Sequence, residues 1–138
     1  MELTRRHTLM MAVGSAVAAL VPVRALAAVE EEIAAFTGGA EVGTDGITLI
    51  APEIAENGNT VPIEVDAPGA EAIIVFAAGN PTPSVATFTF GALAASQSAA
   101  TRIRLAGTQD VIAIARMADG SFVQASREVK VTIGGCGG

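Results

Sequence analysis

From residue 46 to residue 133 the chain is a succession of short, β-branched segments divided by turn residues, and this spacing limits the fold more than any other feature. Residues 46–50, 61–65, 72–77, 85–90, 101–105, 111–116, 121–125 and 128–133 each suit a strand. The stretch 72–77 is continuously apolar, as expected of a strand buried on both faces. Pro62 has no amide proton to give to a neighbour, so its segment is expected at a sheet edge. Asn80-Pro81-Thr82-Pro83 forces a loop, and Asp119-Gly120 is a hairpin signal between two alternating segments. Val129, Val131 and Ile133 share one face of the last segment. Residues 91–100, rich in Ala and Ser, suit a loop or a helical turn equally well. Ahead of the strands, Glu30-Glu31-Glu32-Ile33-Ala34-Ala35-Phe36 predicts one or two helical turns, ended by Gly38 and Gly39. The expected fold is therefore all-β: an immunoglobulin-like β-sandwich of seven to eight short strands, with a short N-terminal helix and a flexible C-terminal tail.

The first 27 residues read as an export signal. Arg5 and Arg6 give a positive start, residues 9–23 are mostly apolar, and Ala25-Leu26-Ala27 has the small-x-small form of a cleavage site. The apolar run is shorter than the roughly 20 residues a bilayer-spanning helix needs. Thr4-Arg5-Arg6-His7-Thr8-Leu9-Met10 resembles the twin-arginine signal, with ordinary secretion as the alternative. The expected organisation is an export signal over 1–27, a carrier-sized β-sandwich over 28–133 and a glycine-rich arm over 134–138, in a protein of the periplasm.

Loss of that signal changes the chemistry available. Glu2, Arg5, Arg6 and Arg24 leave with it, so five basic residues (Arg102, Arg104, Arg116, Arg127 and Lys130) face thirteen acidic ones, a formal charge of −8. Such a surface repels phosphate backbones, which argues against nucleic acid as a partner, and nothing is left to hold a membrane. His7, the only histidine, also leaves; Trp and Tyr are absent and Cys136 is the single cysteine. A transition-metal site draws on several His, Cys or Met ligands, and a Ser-His-Asp or Cys-His arrangement needs imidazole. No cofactor, no metal and no independent enzymatic activity are expected.

What remains is Cys136, centred in Gly134-Gly135-Cys136-Gly137-Gly138 directly after the last predicted strand. Glycine reaches conformations other residues avoid, and at roughly 3.5 Å per extended residue the thiol reaches on the order of 10 Å beyond Ile133. Without side chains on either flank the segment is thin enough for a narrow channel. A resident nucleophilic thiol is normally activated by a histidine, a cation or a helix N-terminus, and none lies close in sequence. Cys136 therefore reads as a carried attachment point, activated by whatever protein receives it, with Gly134, Gly135, Gly137 and Gly138 as the arm. A lone exported cysteine is otherwise a free thiol or an intermolecular disulfide partner, and a glycine-rich terminus is otherwise frayed.

Val129-Lys130-Val131-Thr132-Ile133-Gly134-Gly135-Cys136-Gly137-Gly138 resembles the C-terminus of the SoxY family, sulfur carriers of bacterial thiosulfate oxidation. Pro52-Glu53-Ile54-Ala55-Glu56-Asn57-Gly58, Val61-Pro62, Phe88-Thr89-Phe90-Gly91, Thr101-Arg102-Ile103-Arg104-Leu105-Ala106 and Gln109-Asp110-Val111 are similar to that family too. The resemblance implies a heterodimer with a small SoxZ-like β-domain and transient visits to three enzymes. A SoxAX-like haem enzyme conjugates thiosulfate to the cysteine, a SoxB-like dimanganese hydrolase releases sulfate, and a SoxCD-like molybdenum enzyme oxidises the remaining sulfane sulfur. It also implies that Cys136 is the covalent attachment site, with no metal or haem ligand in this chain. Two other classes compete: a structural or adhesive β-sandwich that uses Cys136 for an intermolecular disulfide, and a small thiol redox module, which here has no second cysteine to resolve it.

Overall fold

The computed structural model describes residues 21–134. In chain order these form helix α1 (Val21–Thr37) and nine strands: β1 (Val42–Gly43), β2 (Thr48–Ile50), β3 (Ile54–Asn57), β4 (Val61–Asp66), β5 (Ala70–Ala77), β6 (Ser84–Thr89), β7 (Ser98–Ile103), β8 (Gln109–Met117) and β9 (Phe122–Ile133). One sheet has the order β1-β9-β8-β5-β6, with β3 also paired to β9, and the second has the order β2-β4-β7. Leu49, Val61, Ile63, Val65 and Ile103 of the smaller sheet pack against Ile73, Val75, Val111, Ala113 and Val129 of the larger one. The result is the expected immunoglobulin-like sandwich, with its core between two alternating faces.

Strand β5 is buried on both sides for a reason visible in its neighbours. Ile73, Val75 and Ala77 enter the core between the sheets, while Phe76, fully buried, meets Ile114 and Val29 beneath α1 on the opposite face. Val29, Ile33 and Phe36 recur at helical spacing and bring α1 onto the larger sheet. Phe36 lies edge-on to Phe122 at 5.7 Å between centroids, and the Arg116 guanidinium sits 5.9 Å from the Phe36 ring. The helix runs over 17 residues, well beyond the one or two turns expected from Glu30 onward, and Ala25-Leu26-Ala27 lie within it. Gly38 and Gly39, at φ 65° and 80°, end it as anticipated. Among the described residues no helix is long and apolar enough to cross a membrane.

Nine strands form where seven to eight were expected, for two reasons. Residues 121–125 and 128–133 join into the single strand β9, which lowers the number. Two short segments without readable alternation, β1 and β3, then pair in parallel along the outer edge of β9, at Phe122–Val123 and at Lys130–Ile133. They cover both ends of an edge that would otherwise expose unpaired backbone.

Pro62 also departs from expectation. Its strand, β4, is the middle one of the smaller sheet rather than an edge. However, β2 pairs only with Glu64–Asp66, so the side of β4 next to Pro62 is open where the missing amide would matter. The ambiguous stretch 91–100 holds a turn and then the start of β7, with Ser98 and Ala99 opposite Asp66 and Val65. The β8–β9 hairpin turns as expected: Met117 N–H donates to Ser121 O at 2.8 Å, and Gly120 has φ 87°.

Candidate functional site at the root of the C-terminal tail

Burial along β9 falls towards its end. Val129 is fully buried, Val131 half-buried and Ile133 is 66% exposed, so the strand leaves the sandwich as it approaches the tail. Of the predicted site residues, Gly134 is placed by the structure; Gly135, Cys136, Gly137 and Gly138 lie outside the described residues, as does the signal motif with Arg5 and Arg6.

The last residues of β9 are held from two sides. Ile133 lies opposite Asn57 of β3, and its carbonyl accepts the Gly58 amide at 2.7 Å. Gly58 in turn accepts the Leu105 amide at 2.8 Å, tying the β3–β4 turn to the β7–β8 loop. On that loop, the Thr108 hydroxyl oxygen accepts the Val131 amide at 3.0 Å. Gly134 then passes directly against the loop backbone. A Cβ on it would overlap the Ala106 carbonyl oxygen and lie 3.2 Å from the carbonyl carbon.

The loop is rigid because two buried amides hold it. Asn80, 3% exposed, donates from Nδ2 to Arg104 O at 2.8 Å and accepts the Ala106 amide on Oδ1 at 2.9 Å. Gln109, 8% exposed, donates from Nε2 to that same Oδ1 and to Gly107 O, each at 2.9 Å, and accepts the Gly79 amide at 2.9 Å. Every described buried side-chain polar atom has a partner. A satisfied network of this kind specifies one loop conformation, since any shift strands a buried donor or acceptor.

Around the tail root the charges are mixed. Lys130, exposed and opposite Ile54, shares a cleft with Glu53 and Glu128, so no concentrated positive field builds up there. Among the described residues no group of three or more His, Cys, Asp or Glu side chains could hold a metal ion. A separate open cleft of about 520 Å³ lies on the smaller sheet, lined by Ile50, Pro52, Pro62 and Arg102 among others, and it includes no residue of the tail root.

Sequence reasoning read Asn80 only as a loop former and Gly58 only as part of the turn-like stretch 56–59, and gave Gln109 no role. Both Gln109 and Gly58 stand in stretches that carry the family resemblance, which was the available signal. A role set by hydrogen bonds between residues 26 to 30 positions apart leaves no local pattern.

Fold and site together define an immunoglobulin-like β-sandwich whose final strand delivers a cysteine-bearing terminus from a braced root. Residues 33–136 match the family of the sulfur oxidation protein SoxY, a match whose last residue is Cys136. The structure is similar to that of the sulfur carrier protein SoxY from Chlorobium limicola f. thiosulfatophilum, at 35% identity and a TM-score of 0.67. That match covers 78% of this chain and 98% of the other. The chain belongs to the SoxY family. Superoxide reductase (neelaredoxin) from Ignicoccus hospitalis has the same fold, at 18% identity and a TM-score of 0.56, covering 64% of this chain and 81% of that one. No curated protein matches the sequence.

Proposed function

We propose that this chain is the covalent sulfur carrier of a periplasmic thiosulfate-oxidising system, with Cys136 as the attachment site and partner enzymes performing the chemistry. The observation that carries the reading is that the SoxY-family match extends through Cys136, the only cysteine of the chain. Loading joins the cysteine sulfur to the outer sulfur of thiosulfate; the thiol loses its proton and the pair gives two electrons to a haem enzyme of the SoxAX kind. Water then cleaves the sulfur–sulfonate bond on a SoxB-like hydrolase, releasing sulfate and two protons and leaving a deprotonated persulfide on Cys136. A SoxCD-like enzyme oxidises that sulfane sulfur. Forming and breaking S–S bonds at a thiolate suits this cycle.

The partner reading rests on surface chemistry. Ile50, 57% exposed, lies with Pro52 and Pro62 in the open cleft of the smaller sheet, an apolar surface suited to a SoxZ-like β-domain in a heterodimer. Arg5 and Arg6 support export through the twin-arginine route.

Intact-mass analysis of the protein taken from the periplasm without reductant, with peptide mapping around Cys136, tests the proposal. Thiosulfate- or persulfide-bearing masses confined to Cys136 and removed by reductant are expected. A bare thiol or a protein disulfide alone, in cells consuming thiosulfate, would overturn it in favour of a structural sandwich cross-linked through Cys136.

A further inference from the structure

We propose that Gly134 is the fixed seat of the cysteine-bearing arm, a part of the folded domain, and that Asn80 and Gln109 act as positioning residues that hold this seat in place. The inference rests on the carrier reading of Cys136, and it reverses the expectation that Gly134 is simply the first residue of a free arm.

Four observations carry it. Gly134 does not adopt a positive φ, so conformational freedom is not why glycine stands there. Space is the reason: any β-carbon would collide with the Ala106 carbonyl, a backbone group that cannot rotate aside. The residue before it is pinned on both sides of the sandwich end, by Asn57 and Gly58 from the β3–β4 turn and by Thr108 from the β7–β8 loop through Val131. The loop itself cannot yield cheaply, because Asn80 and Gln109, both buried and bonded to each other, hold Arg104, Ala106 and Gly107 through partly buried hydrogen bonds. A side chain at 134 therefore has to displace β9 or tear that network.

The consequence concerns delivery. Only Gly135 separates Gly134 from Cys136, and the two positions span roughly 7 Å when extended. A thiol dispensed from a set point explores a small volume in a set direction relative to the docked domain. Moving the seat by even about an ångström alters alignment with a reacting group, which costs on the order of ten- to hundredfold in rate.

Backbone ¹⁵N relaxation on the intact chain is the first test. The Gly134 amide is expected to share the order parameter of β9, about 0.85; a value below about 0.6 overturns the proposal whatever any variant does. The second test compares Gly134→Ala with Gly135→Ala in thiosulfate loading by a SoxAX-like enzyme. Gly134→Ala should lower kcat at least about tenfold with KM unchanged, because docking through the sandwich is intact while the thiol is misdirected. Reaction of Cys136 with a small disulfide reagent should stay unchanged, and Gly135→Ala should lose less than about threefold in kcat. A loss of folded protein alone would instead raise the apparent KM at constant kcat, and that result, or equal effects of the two substitutions, refutes the positioning role. If the unsubstituted chain takes no thiosulfate at all, the carrier reading fails, while the relaxation measurement still decides whether Gly134 is seated.

Discussion

Replacing Asn80 by Ala removes the donor to Arg104 O and the acceptor for both the Ala106 amide and Gln109 Nε2, three hydrogen bonds of 2.8 to 2.9 Å at a position 3% exposed. Gln109 Nε2 keeps its bond to Gly107 O, so the cost concentrates on the Ala106 amide and the Arg104 carbonyl. At roughly 1 kcal/mol per bond, raised where a buried group is left unsatisfied, the loss comes to about 2–4 kcal/mol. That is a large share of the roughly 5–15 kcal/mol by which a domain of this size is stable. With no Trp and no Tyr, intrinsic fluorescence is a poor reporter, so far-ultraviolet circular dichroism should follow urea unfolding. A slope of about 2 kcal/mol/M places the expected fall in midpoint at roughly 1–2 M. Because Asn80 and Gln109 share a bond, the double variant Asn80→Ala/Gln109→Ala should lose less than the sum of the singles by about 1 kcal/mol. A loss below about 1 kcal/mol for Asn80→Ala, or strictly additive singles, would refute the claim that the pair braces the β7–β8 loop.

Other perturbations test separate parts of the molecule. Phe76→Ala opens a cavity between α1 and the larger sheet where no exposure exists, and thermal or urea unfolding should show a loss of about 3–5 kcal/mol; a loss under 2 would mean α1 closes the gap. The Asp119 carboxylate accepts the Ser121 hydroxyl at 2.6 Å and the Ser121 amide at 2.9 Å, which hold its pKa below the ordinary 3.8. A lowered folded pKa means that the turn is stabilised above 3.8, and that this contribution is lost as pH falls through the folded value. An Asp119 titration by NMR with a midpoint at or above 3.8 would contradict the assignment. Ile50→Asp changes an exposed residue, so stability should hold to within about 0.5 kcal/mol while co-purification with the partner subunit falls; an undiminished heterodimer moves the interface off this cleft.

Much of this protein is legible in its residues taken alone. Alternation, turn chemistry and the apolar run at 72–77 are local signals, and they specify the sandwich, the β8–β9 hairpin and the double burial of β5. The lone cysteine among four glycines, in a chain whose one histidine lies in the expected export signal, is what suggested an attachment point from sequence. The match to the SoxY family agrees with that reading at the level of sulfur oxidation.

Tertiary structure decided what depends on distant partners. The place of α1 on the larger sheet follows from Val29, Ile33 and Phe36 finding Phe76 and Ile114, partners its own sequence does not announce. β1 and β3 exist because β9 offers an edge, and Pro62 tolerates a central strand because β2 ends early. Gly134 reads as one more glycine of the tail in sequence, yet the fold sets it against the Ala106 carbonyl, in a loop held by Asn80 and Gln109. Local sequence encodes which conformations a segment prefers; which of its atoms meets another chain segment is settled only when hydrophobic burial closes the sandwich and brings residues far apart in sequence into contact.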